Sequence, residues 1–149
     1  AASDVYKRQV EKHGTPLYEL INNNVESSRK VFFVHGGTDV EDREEVRNLT
    51  ETESNAIIVA SYGTFSTGIN IKRLHNIVFA SPSKSRIRNL QSIGRVLRKG
   101  EGKDIATLYD IADDIGGQNY TLKHLNERVN IYNNENFKYE VIRVNLRAN

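Results

Sequence analysis

The sequence predicts an α/β domain with a mainly parallel sheet, and three observations carry that reading. Short β-branched and aromatic runs recur at residues 30–34, 56–60, 77–80 and 105–111. Helical apolar spacing fills intervals between them, and strands that alternate with helices pair in parallel. The first two runs end in small-residue loops, residues 35–38 and 61–70. Loops of that kind, leaving the carboxyl ends of parallel strands, are where such sheets receive ligands.

Taken in order, residues 1–9 show no convincing period and are read as a tail or an end artefact. Thr15 followed by Pro16 has the grammar of a helix start: a hydroxyl cap, then a proline whose missing N–H costs nothing in the first turn. That helix runs to about Asn23. Residues 30–34 form a buried strand ending in His35-Gly36-Gly37. Thr38-Asp39-Val40-Glu41 fits a capping box, with Val46 and Leu49 as apolar positions of the helix behind it. Residues 56–60 form a second buried strand, 77–80 a third and 105–111 a fourth. A helix is expected over 85–98. After Gly116-Gly117 the pattern changes: Leu122, Leu125, Val129 and Tyr132 recur at helical spacing, then Phe137, Tyr139 and Val141 alternate as in a strand. The expected parts are thus a tail (1–9), a core domain (10–117) and a helix-and-strand extension (118–149).

Composition narrows the function. With 149 residues, 38% of them hydrophobic, one compact domain can bury roughly two-thirds of its unfolded surface. There is no apolar run of membrane-spanning length and no secretory leader in the sequence, so a soluble, intracellular protein is expected. Cysteine is absent, and His13, His35, His75 and His124 show no paired spacing, so no metal site is expected. The net charge of +2 hides a division: residues 84–103 carry a local +6, residues 36–54 a local −5. A basic segment suggests a polyanion as partner, whereas an acidic helix face is usually solvated surface.

The basic segment is organised. At 100° per residue, Ile87, Leu90, Ile93, Val96 and Leu97 share one broad sector, while Gln91, Arg95 and Arg98 lie within about 60° of each other on the other side. Such a helix buries an aliphatic face and presents a glutamine and two guanidiniums together. Gly94 beside them leaves room for close approach. A guanidinium is always charged and its donor fork fits phosphate oxygens, so two in register can neutralise a transferring phosphoryl group.

Gln91-Ser92-Ile93-Gly94-Arg95-Val96-Leu97-Arg98 resembles the Q-x-x-G-R-x-x-R signature, motif VI of superfamily 2 helicases and translocases. Upstream, residues 61–70 are similar to motif V, a Ser or Thr ahead of a G-[I/L/V]-[N/D] tail, here Gly68-Ile69-Asn70. Further upstream, His35-Gly36 followed by Arg43 resembles the strand-end H-G and helix arginine found between motifs IV and V. The resemblance covers about residues 12–114. It implies a RecA-like three-layer domain, the second motor lobe of an ATP-dependent DNA helicase. Arg98 is then the arginine finger, Arg95 its assistant, and Gln91 the link between nucleotide state and the loop that holds DNA. Gly68 and Asn70 are expected near the nucleotide, and Gly36, Gly37, Ser61 and Tyr62 at the nucleic-acid backbone. The implied cofactor is ATP with Mg²⁺. The implied partners are single-stranded, forked or branched DNA and an N-terminal RecA-like lobe, in the cytoplasm of a bacterial or phage-infected cell.

Plainer readings stand beside these. The residue 61–70 loop and the glycine pair can be simple connections, and Tyr62 and Phe65 can plug the core edge instead of stacking on bases. Asp104, Asp110, Asp113 and Asp114 could suggest magnesium, but Asp113 and Asp114 are better read as capping or surface groups. His35 is expected to be packed or hydrogen-bonded, and Arg43 and Arg47 to be exposed charges or salt-bridge partners. No G-x-x-x-x-G-K-[S/T] loop and no D-E-x-H or D-E-x-D pair occurs in the sequence, so this chain is not expected to assemble an ATPase site alone. Rival functions are an RNA helicase lobe and a nucleic-acid-binding module with no ATP role.

Overall fold

A computed structural model describes residues 10–53, 55–61, 63–64, 75–80, 106–116 and 120–145. They fall into two compact units, divided between Asn76 and Ile77 and between Thr107 and Leu108. The expected helix over 85–98 lies outside the described residues.

In the first unit, a π-helical turn at Val10–Gly14 leads into α1 (Thr15–Asn24). β1 (Val31–Val34), α2 (Val40–Thr52) and β2 (Ile57–Ala60) follow. β1 and β2 pair in parallel, Val31 opposite Ile57 through Val34 opposite Ala60. This is the βαβ arrangement that alternation predicted, since parallel neighbours need a crossover and α2 supplies it. Both strands are half-buried along most of their length, with Val34 fully inside and Val59 buried. Tyr18 of α1 stacks on Phe33 of β1, with ring centroids 5.5 Å apart and planes 15° from parallel, which ties helix to sheet. At the amino ends of the strands, Lys30 pairs with Glu53, the residue that caps α2 at its carboxyl end.

Two helix starts differ from expectation. Thr15 is not a cap, because Gly14 before it is already helical (φ −65°, ψ −50°) and no side chain caps the helix. The π-turn feeds α1 directly and leaves no extended residue to hold a capping hydroxyl. Pro16 does sit in the first turn, as its missing N–H allows. The capping box at Thr38–Glu41 does not form either. Asp39, not Thr38, occupies the N-cap and makes no side-chain capping hydrogen bond, while the Thr38 hydroxyl accepts from His35 in the turn before it. Glu41 and Asp42 still complement the positive end of α2.

β3 (Asn76–Phe79), β4 (Thr107–Asp110) and α3 (Tyr120–Asn134) follow, almost wholly in the second unit. β3 and β4 pair with each other. The Thr107 N–H donates to the His75 carbonyl and the Ile111 N–H to the Phe79 carbonyl. Both partners advance in the same direction, so this pair is parallel as well. The strand expected from Phe137, Tyr139 and Val141 forms no ladder among the described residues. Asn136 adopts a left-handed conformation (φ 54°) that an asparagine tolerates, and it turns the chain back past α3. The Phe137 N–H then donates to the Tyr132 carbonyl. The rings of Phe137 and Tyr139 lie 6.3 and 6.1 Å from that of Tyr132. Their alternation places two rings around Tyr132 and not in a sheet. No described helix is long and apolar enough to cross a membrane.

Candidate nucleic-acid interface

Parallel pairing in register brings the carboxyl ends of β1 and β2 side by side. The Ser61 N–H continues the ladder by donating to the Val34 carbonyl at 3.1 Å. Residues 35–38 and the start of the Ser61 loop therefore leave the same edge of the first unit. Among the predicted nucleic-acid contacts, the structure brings Gly36, Gly37 and Ser61 together at this edge. Tyr62, Gly68, Asn70, Gln91, Arg95 and Arg98 lie outside the described residues.

The turn after β1 is held by its own residues. The His35 N–H donates to the Thr38 hydroxyl and the Thr38 N–H donates back to the His35 carbonyl, both at 3.0 Å. The His35 Nδ1 accepts the Gly37 N–H at 3.1 Å, and its ring packs against Phe33 with centroids 5.1 Å apart. A Cβ on Gly37 would lie 3.1 Å from His35 Cε1, so a side chain there displaces the imidazole. Gly36 and Gly37 are exposed at the crest of the turn, where a backbone free of side chains admits a phosphate oxygen.

α2 braces the same turn. The Arg43 Nε donates to the Thr38 carbonyl at 2.8 Å. Arg43 was expected as an exposed charge or ion-pair partner; its side chain is instead half-buried and reaches this carbonyl, five residues back. Arg47 does pair with Glu44, at 2.7 Å. On the neighbouring loop, the hydroxyls of Ser61 and Thr64 are 2.8 Å apart, and Thr64 is buried. Ser61 is therefore held by a buried partner while remaining half-exposed itself.

The aspartates resolve differently from a metal site. Asp110 accepts from Arg128 Nε at 2.7 Å, from Arg128 Nη2 at 2.9 Å and from the Tyr132 hydroxyl at 2.6 Å. Asp113 offers its carbonyl to the Thr121 hydroxyl, and Asp114 pairs with Arg143 at 3.5 Å. Asp104 lies outside the described residues. No group of three potential ligands occurs among the described residues. Burial raises the Tyr132 pKa, with the Asp110 hydrogen bond and charge adding to the effect; the phenol therefore stays protonated and able to donate. Sequence reasoning missed this cluster. Its signal was Arg128 lying four residues before Tyr132, inside an otherwise apolar helical stripe.

Comparison with known proteins adds a family. The helicase conserved C-terminal domain model matches residues 5–100. The ATP-dependent DNA helicase UvsW of Enterobacteria phage T4 is 43% identical over 147 residues, covering 90% of this chain and 29% of that protein. A protein of Acanthamoeba polyphaga mimivirus, named for ATP-dependent RNA helicase activity, is 32% identical over 97 residues, 65% of this chain and 17% of its own. An African swine fever virus protein named for the same activity is 32% identical over 68 residues, 45% and 13% respectively. The chain thus spans less than a third of the length of each relative. No solved structure matches it.

Proposed function

The chain belongs to the helicase conserved C-terminal domain family, and from that premise we propose that it is the second motor lobe of an ATP-dependent DNA helicase or translocase. We take residues 10–117 as that lobe and 118–149 as its extension. The observation that carries the nucleic-acid half of this reading is the shared edge at which Gly36, Gly37 and Ser61 meet. An exposed glycine turn braced by Thr38 and Arg43, beside a held hydroxyl, fits the sugar-phosphate backbone and not base edges. Phosphate contacts of that kind set position without reading sequence.

For the nucleotide half, ATP supplies the phosphoryl group and Mg²⁺ its charge compensation. Arg98 contacts the γ-phosphate as the arginine finger, Arg95 assists, and Gln91 connects nucleotide state to the DNA-holding loop. Gly68 and Asn70 lie nearer the nucleotide, and Tyr62 beside the backbone. Cleft closure and reopening then shift the lobe along one strand of single-stranded, forked or branched DNA. The 43% identity to a phage DNA helicase supports DNA as substrate and the cytoplasm of a phage-infected cell as location.

RNA is the second reading, favoured by the two viral relatives named as RNA helicases. Stimulation of the complete protein's ATPase by single-stranded DNA and by RNA of equal length decides between them. DNA is expected to stimulate and RNA to do so weakly; the reverse order overturns the DNA assignment.

A further inference from the structure

The extension makes a set of contacts that the motor reading does not use. Asp110 is the last residue of β4, and its carboxylate receives three hydrogen bonds from two residues one helical turn apart on α3. Arg128 is 1% exposed and Tyr132 6%. Beyond Asp110, the chain runs through residues 111–116 in neither helix nor strand and mostly exposed, with Ile115 at 80%. The extension meets this stretch twice more, through Thr121 to the Asp113 carbonyl and Arg143 to the Asp114 carboxylate. Three attachments along residues 110–114, two from α3 and one from the chain after it, fall at the carboxyl end of a parallel strand and on the segment leaving it. In open parallel sheets that end is the ligand edge.

The attachment is built for geometry and not for stability. A buried ion pair roughly breaks even against apolar packing of the same volume, because desolvation offsets the attraction. Here the balance is less favourable still, since Arg128 Nη1 is buried without a hydrogen-bond partner among the described residues. What the pair does specify is register. A bidentate guanidinium and a phenol spaced four residues apart can address one carboxylate in only one setting of α3 along β4.

We propose that the C-terminal helix is a strap that positions the segment leaving β4, with Arg128 and Tyr132 as its positioning residues and Asp110 as their anchor. The strap fixes where residues 111–116 run and makes the extension move with the strand. Its loss loosens that segment before it unfolds the unit.

The test uses the complete protein with Tyr132→Phe, Arg128→Lys and a paired variant, Asp110→Leu/Arg128→Met made on the Tyr132→Phe background so that no phenol loses its acceptor. Amide hydrogen exchange is read at residues 111–116 and, as control, in α1 and β1. Exchange at 111–116 is expected to quicken about tenfold or more in Arg128→Lys and in the paired variant, with the controls unchanged. The paired variant is expected to recover the parent's melting temperature without recovering that protection, the split a purely stabilising role does not produce. Under the motor reading, kcat for ATP also falls in the paired variant while KM is retained. Unchanged exchange at 111–116, or full recovery of both protection and kcat in the paired variant, overturns the strap. A parent protein without ATPase overturns the motor reading alone, because the exchange measurement still decides the strap.

Discussion

At the scale of single residues, the turn after β1 shows why glycine stands where it does. Gly37 needs no unusual backbone angle; it needs space, since a Cβ would lie 3.1 Å from the imidazole that accepts its N–H. Gly37→Ala is expected to cost about 1 kcal/mol, the loss of one hydrogen bond and a displaced ring, read as a lowered denaturant midpoint. Tyr132 gives a pH signature. Its folded-state pKa lies above the ordinary 10.0, chiefly through burial. The unfolded chain therefore releases the phenolic proton first as pH rises. The stability this group contributes is complete below about pH 10 and declines above it. Tyr132→Phe removes that decline, so the stability curves of parent and variant should converge between roughly pH 10 and 12; parallel curves would refute the assignment. By contrast, Lys30→Ala is expected to change stability by under about 1 kcal/mol, because the Lys30–Glu53 pair is well exposed.

At the scale of elements, strands were the most legible part. The four apolar runs each contain the observed strand to within a residue or two, because β-branched and aromatic clusters bounded by small residues leave few alternatives. The edge that gathers Gly36, Gly37 and Ser61 followed from parallel pairing alone. Helix starts were less legible, since capping depends on which hydrogen bond wins locally. Thr38 serves the His35 turn and not α2, and Gly14 continues a helical path into Thr15. Periodicity marked Arg128 beside Tyr132 but could not supply their anchor, because Asp110 and Arg128 are 18 residues apart and only tertiary structure joins them. Removing one member leaves a buried charge unpaired. Arg128→Ala is expected to destabilise by about 3–5 kcal/mol in urea unfolding, with the paired apolar variant near the parent.

At the scale of the molecule, charge and family point the same way. The acidic excess of residues 36–54 belongs to the first turn and α2, while the basic excess of 84–103 contains Gln91, Arg95 and Arg98. The family model, over residues 5–100, covers the acidic region and the basic one up to residue 100. Under the proposed function, Arg95 and Arg98 of this lobe would supply charge to a nucleotide bound mainly by another lobe. The most direct test of that claim is Arg98→Ala in the complete two-lobe protein, assayed for DNA-stimulated ATPase and for DNA binding across a salt series. Loss of an arginine finger is expected to lower kcat by about 10³-fold or more. DNA affinity and its salt slope should stay close to the parent's. Retained ATPase, with weakened DNA binding and a shallower salt slope, would contradict the motor assignment and leave a nucleic-acid-binding module in its place.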